Sequence, residues 1–459
     1  MPVNTTHPTY DNAALKWTRV EDVLNSNVKH YIKDIDPKDQ KRCERYRDDA
    51  VFLNFTARTK NGLVGAVTRR ATQFDLPTEI NYLLEDATGS KMPLEKLIQE
   101  CLGETIAKGR YGLLADYPAS DDNLTEAEAQ ALGLKARISR YRAENIISWD
   151  EALINGEYQL TFVVLKEYAS VRGEDGFSWV AQTRYRVLRL VDGAYQQELY
   201  NESDESLGGY IPRDYLGNAF TFIPFQFIGS EDNDAAIDAI PLIDLADLNI
   251  AHLRNSADYE ELVHVVGQPT PVIKSTNAKA IKSANPGGIK LGSRKGLILG
   301  ADDDAYFLEV TPNSASKEAM ELKQEQAAMV GARLIMAAGT NETAQAALIK
   351  HSGENSVLAT IANNVNDAIL QVVSWCEMFM SKAPVGKDKI EIKMNDIFFD
   401  IMADAQSIMA EIQLYNNGIK AKKDVRDHLR KIGNISPDRT DDDIDSDLDS
   451  LNPLEGGDT

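Results

Sequence analysis

The chain has 459 residues, 43% of them hydrophobic and 26% charged, with 49 basic against 71 acidic residues and a formal net charge of −22. That length admits roughly two to four domains or one large elongated subunit able to bury real cores. The excess of acid excludes simple electrostatic adhesion to DNA or to acidic membranes, but it is compatible with DNA passing close by, because an acidic surface repels the phosphate backbone.

Residues from about 10 to about 110 read as mostly helical, with "AVFLNFTARTKNGLVGAVTRR" and "PLEKLIQECLGETIAKG" as the clearer runs. The second starts at Pro93 and stops at Gly109, both ordinary helix punctuation. "YGLLADYPA" predicts a short buried strand ended by Pro118. From 155 the texture changes. "YQLTFVVLKEYASV", "FSWVAQTRYRVLRLV" and "AYQQELYN", separated by "GEDG" and "DGA", predict an antiparallel meander, and "FTFIPFQFIGS" closes this β-rich region.

After Ser230 helical periodicity returns. Leu242, Ala246, Ile250, Leu253 and Ala257 recur at steps of four, four, three and four, one apolar stripe with Asp244, Asp247, Asp258 and Glu261 largely off it. Residues 265–312 form an insertion rich in Gly, Pro and Lys, with short strands. A second helix follows Asn313 and Ser314, with Glu318 in its first turn and a stripe through Ala327, Val330, Leu334 and Ala337. "AGTNETAQAALIKHSGENS" is small and polar. A third helix carries Leu358, Ile361, Val365, Ala368, Val372, Cys376 and Phe379 in register. Two more helical pieces lead to residues 435–459, whose nine acids and one base predict a disordered tail.

Chemistry-bearing motifs fail one by one. Cys43, Cys101 and Cys376 form no CxxC pair, so neither a zinc site nor a disulfide framework is expected, and a reducing cytoplasm fits. No apolar run approaches the ~18 residues of a membrane helix, and the N-terminus has no signal-peptide pattern. "GGIKLGSR" resembles a phosphate loop, but Ser293 and Arg294 stand where Lys and Ser or Thr are required. "DDDIDSDLD" lacks the Gly and Glu of a calcium loop, and "ADDDAYF" around Asp303 reads as a turn. His7, His30, His252, His264, His351 and His428 show no HExxH spacing, and no GxSxG elbow exists. His252 and His264 read as surface or interface residues, while His351, beside Lys350, stays open. Lys420 to Lys431 is a basic helix face with Val425, Leu429 and Ile432 as its apolar side; it reads as a solvated face, with nucleic-acid contact as the alternative, or as a partner for the acidic tail of a neighbouring subunit. No enzyme, metal or cofactor is expected.

The order of elements, and the phrases "AKGRYGLLADYP" (107–118), "RYRAENIISWDEAL" (140–153), "IPLIDLADLNIAHLRNSADYEELVHVVGQPTPV" (240–272) and "NETAQAALIKHSGENSVLATIANNV" (341–365), resemble tailed-bacteriophage portal proteins of the DUF4055-like family. The resemblance implies an α+β, mainly helical portal fold: an N-terminal wing region (1–239), a first stem helix (240–264), a small α/β clip (265–312), a second stem helix (313–338), a channel loop (339–354), wing helices with a small crown (355–434) and the acidic tail (435–459). It implies a ring, usually of twelve copies, at one capsid vertex of the virion, assembled in the host bacterial cytoplasm. Double-stranded DNA is packaged and ejected through that ring. The implied partners are the terminase large subunit, an adaptor or head-completion protein and the major capsid protein, with no membrane. Leu242, Ala246, Ile250, Leu253 and Ala257 would then meet neighbouring subunits while the acids face the channel. Lys290, Arg294 and Lys295 would meet clip partners. Thr340, Asn341, Glu342, Lys350 and His351 would ring the DNA.

Two other classes stand beside this one. Another head–tail connector or capsid component is usually β-dominated or shorter. A packaged DNA-processing enzyme needs a complete phosphate loop or a carboxylate cluster on strands; the first is absent and the second not evident.

Overall fold

The computed structural model describes residues 2–118, 132–154, 156–173, 175–267, 270–285, 298–308, 314–333, 357–395, 413–431, 435 and 439–451. In chain order these form α1 (Tyr10–Leu24), α2 (Gln40–Asp49), α3 (Phe55–Val67), β1 (Gln73–Asp75), α4 (Leu94–Lys108), β2 (Arg110–Asp116) and β3 (Arg137–Arg142). Next come β4 (Ile146–Ile154), β5 (Glu157–Arg172), β6 (Trp179–Val191), β7 (Ala194–Asn201), β8 (Ser206–Tyr210) and β9 (Phe225–Gly229). The rest is α5 (Ile243–Gly267), β10 (Thr270–Lys274), α6 (Ala278–Ala284), β11 (Asp304–Leu308), α7 (Ala315–Arg333), α8 (Val357–Met380), β12 (Glu391–Lys393), α9 (Lys422–Lys431) and α10 (Asp441–Leu451). Every strand pairing among the described residues is antiparallel, so helices and sheets are segregated as an α+β class requires.

Two compact units emerge: Met1–Val20, Arg58–Ile243 and Val330–Thr459 form one; Glu21–Ala57 and Asp244–Met329 form the other. Residues 21–57 thus cluster with α5 rather than with the rest of residues 1–239.

In the first unit, Pro93 opens α4 and Gly109 closes it in the left-handed conformation at φ 70°, its N–H donating to Thr105 O. A Cβ there would stand 2.3 Å from Ala239 O, so only glycine fits. The chain then runs straight into β2, whose seven positions are all buried. A fully buried strand needs a partner on each edge, and β2 lies between β3 and β9. That is why β9, which closes the β-rich region in sequence, joins β2 rather than the meander. The meander itself is the five-stranded β4-β5-β6-β7-β8. Its β6–β7 turn has Asp192 at φ 50° and Gly193 at φ 77°, the two positive values a tight hairpin demands.

Helix α8 packs across α4, β2 and β9. All seven residues of its predicted stripe are buried. Polar groups tie the two sheets together: buried Asp116 accepts from Gln197 Nε2 (3.0 Å) and Tyr210 Oη (2.9 Å), and Arg186 bridges Glu167 (2.7 Å) and Gln197 (2.8 Å).

The C-terminal segment departs from expectation. Composition predicts disorder over 435–459, yet Asp441–Leu451 is helical. Its acids find bases on α9 of the same chain, which removes the self-repulsion that argued for disorder.

Candidate functional site

Helix α5 is the spine of the second unit, and residues 31–56 are bonded along it. Arg254 Nε donates to Tyr31 O (3.0 Å), Tyr46 Oη to Asp258 (2.7 Å), and Val51 N to Ser256 Oγ (3.0 Å). Asn249 donates to Leu53 O (2.9 Å) and accepts from Thr56 Oγ1 (3.0 Å). Glu261, buried, takes Arg42 on one oxygen (2.9 Å) and Arg45 on the other (3.3 Å).

This changes the reading of the predicted stripe. Leu242, Ala246, Ile250, Leu253 and Ala257 are all buried within one chain, at 0 to 4% exposure. These side chains are already covered by their own chain, so a contact with a neighbour through them would require the subunit to rearrange. Glu261 likewise does not line a channel, while Asp244, Asp247 and Asp258 are exposed.

His252, expected at the surface or an interface, is a core residue at 2% exposure. It meets Phe55 edge-on at 5.8 Å, and its Nε2 accepts from the Gln324 amide at 3.1 Å. Burial, helped by Lys323, pushes its pKa below the ordinary histidine value, so the ring is neutral.

The apolar surface this unit leaves open lies elsewhere. On α7, Leu322 (54% exposed) and Met329 (59%) are seven residues apart and share a face. At the C-terminal end of α5, Val263 and Val265 are exposed. In the β10–β11 ladder, Val272 faces Tyr306 and Pro271 faces Phe307, and both aromatics are about half exposed. A two-stranded ladder is marginal in water unless something packs on it. Sequence reading expects short strands in 265–312 but takes "ADDDAYF" wholly as a turn: it does begin as one, with Asp303 accepting from Gly300 N (2.7 Å), but its last residues are a strand. Adjacent Tyr and Phe after the turn were the available signal.

Lys290, Arg294 and Lys295 lie outside the described residues, as do Thr340, Asn341, Glu342, Lys350 and His351, together with Leu334 and Ala337.

One carboxylate cluster occurs among the described residues of the first unit. Asp232, Asp234 and Asp238 bring oxygens within 4.8 Å of one another. Their partners are local: Asp238 accepts from Glu231 N and Asp232 N, Asp232 from Asp234 N, and Asp234 from Ala236 N. Arg110 donates to Ala235 O and Ala236 O, its guanidinium lying 4.3 Å from the Trp149 ring centre and 4.2 Å from that of Phe227. Burial pushes its pKa down to about 10, against the opposing pull of Asp238 and Asp234. The cluster is a turn closed over a buried cation.

Residues 241–380 match the model of a family described as domain of unknown function DUF4055. The likeness to this family drawn from the sequence phrases holds over those residues, and the match starts at α5 and ends with α8. No curated protein matches the chain. Among solved structures it is similar to a chain in the neck of an empty GTA particle computed with C6 symmetry, at 13% identity over 86% of this chain and 94% of that one, with a TM-score of 0.42. It is also similar to a chain in the virion of the native gene transfer agent particle, at 14% identity over 85% and 93%, TM-score 0.41. A third likeness is to the neck of the native particle computed with C12 symmetry, at 12% identity over 81% and 88%, TM-score 0.39. TM-scores below 0.5 do not define a shared fold. No helix among the described residues is long and apolar enough to cross a membrane.

Proposed function

We propose that the chain is a portal subunit. Copies form a ring at one capsid vertex, double-stranded DNA is packaged and ejected through the ring, and terminase and an adaptor dock on it. The observation that carries the reading is the form of the DUF4055 segment: long helix α5, a hairpin insertion, long helix α7, a polar stretch, long helix α8. Such an order would supply two stem helices, a clip and a channel loop. In this reading neighbours meet through the α7 face that carries Leu322 and Met329, since the α5 stripe is covered within the chain. The hairpin carrying Tyr306 and Phe307 adds apolar anchors to the basic clip residues Lys290, Arg294 and Lys295. Thr340, Asn341, Glu342, Lys350 and His351 remain the proposed channel-loop contacts, on sequence alone; a loop with so little net charge touches DNA weakly and without sequence preference. The major capsid protein would surround the wing.

Negative-stain microscopy of the purified protein tests the reading. Closed rings with a central hole are expected. A protein that stays monomeric in the presence of the other head proteins would overturn it.

A further inference from the structure

Helix α9 carries five basic and two acidic residues, and α10 carries six acids and no base. They face each other within one chain. Lys422 Nζ lies 2.6 Å from Asp445, and Arg426 takes both oxygens of that carboxylate. Arg430 reaches Asp441 from one nitrogen and Asp427 of its own helix from another, at 2.7 Å. Arg439, on the connection, pairs with Asp447. The Arg426 side chain is only 9% exposed. Its hydrogen bond to Asp445 raises its pKa, and Arg426 with Lys422 holds that carboxyl well below the usual range.

We propose that the basic face of α9 is a docking surface for the phosphate backbone of duplex DNA, and that α10 is its built-in cover. The choice of duplex DNA among polyanions rests on the portal reading. The chemistry rests on the contacts: a guanidinium fork accepts carboxylate and phosphate in the same bidentate geometry. Asp441 and Asp445, one turn and ~6 Å apart on α10, hold Arg430 and Arg426 as successive anions would. The cover is built to leave. Lys422 and Asp445 are about half exposed, such pairs contribute little each, and salt screens them. An 11-residue helix that loses its partner is too short to persist alone. Duplex DNA carries one charge per ~1.7 Å of axis and displaces a sparser anion. Closed, the helix pair is net acidic and repels DNA; open, α9 is net basic and attracts it.

Binding of a labelled duplex to the full chain, followed by fluorescence anisotropy at several salt concentrations, tests this. Asp441→Asn with Asp445→Asn and Asp447→Asn should tighten binding at least about tenfold and steepen the log–log salt slope by ~2, one unit each for Arg426 and Arg430 on the α9 face. Adding Arg426→Ala and Arg430→Ala to that background should abolish the gain. No tightening would overturn the proposal, as would a gain that survives loss of both arginines. Binding of poly-glutamate in place of DNA would overturn the choice of ligand. Hydrogen exchange on the unaltered chain gives an independent readout: duplex DNA should speed exchange in α10 and slow it in α9, and unchanged α10 amides would overturn the cover. Microscopy of the same preparations separates the two readings. Rings without the DNA effect refute the cover alone, whereas the DNA effect without rings refutes the portal reading alone.

Discussion

Helices α7 and α8, of 19 and 24 residues, flank the same stretch of chain and live in opposite surroundings. Thirteen residues of α8 are buried, on a continuous apolar side and beyond it. On α7 the buried positions among the described residues are Ala327 and Gly331, while Leu322 and Met329 stand in solvent. A helix held by its own core needs nothing further. A helix with so little burial derives little stability from its chain and gains from an outside surface. The contrast places α8 in the core of the subunit, and the Leu322–Met329 face of α7 is the one that the proposed portal role would use for assembly.

The largest effect should come from breaking the buried helix. Val365→Asp places an unpaired carboxylate at a position with no exposure, at a cost of roughly 3–5 kcal/mol. Loss of soluble protein or a collapsed thermal transition is expected. A transition within a few degrees of the unaltered chain would mean that α8 is not a core helix.

Ala257→Glu on α5 should come next. Ala257 is fully buried within the chain, so the change should lower the unfolding free energy by ~2–4 kcal/mol. Had the stripe faced a neighbour, the same change would spare the fold and abolish assembly only. Circular dichroism melts beside mass photometry tell the two apart.

That case marks where the sequence was legible and where it was not. Periodicity found the stripes on α5 and α8 residue by residue, since a buried side repeats every three or four positions whatever covers it. It could not say what covers them. The cover on α5 comes from 31–56, where Tyr46, Val51 and Thr56 act through isolated hydrogen bonds that leave no periodic trace. Pro93 and Gly109 marked α4 because backbone geometry is written into those two residue types. The strand β9 was found but its sheet was not, because alternation predicts a strand and not its neighbour. The tail failed for a related reason: the acids of α10 were judged alone, whereas the bases that neutralise them lie on α9.

A smaller effect is expected from pH. His252 in the folded chain holds a proton less firmly than in the unfolded chain. Its contribution is therefore complete above the ordinary value of ~6.5 and is lost as pH falls through it toward the folded value, because the unfolded chain takes up a proton the folded one refuses. His252→Asn should flatten that part of the stability profile. Identical slopes for both proteins between about neutral pH and ~5 would contradict the buried neutral ring.

The smallest effect on stability belongs to α7, and it carries the central claim. Leu322→Asp with Met329→Asp changes exposed side chains, so the isolated subunit should melt within ~0.5 kcal/mol of the unaltered one. Negative-stain microscopy of the two proteins side by side is the direct measurement. The portal reading predicts rings from the unaltered chain and folded, unassembled subunits from the variant. Rings from both would contradict the assignment of α7 to assembly, and rings from neither, with the other head proteins present, would contradict the portal reading itself.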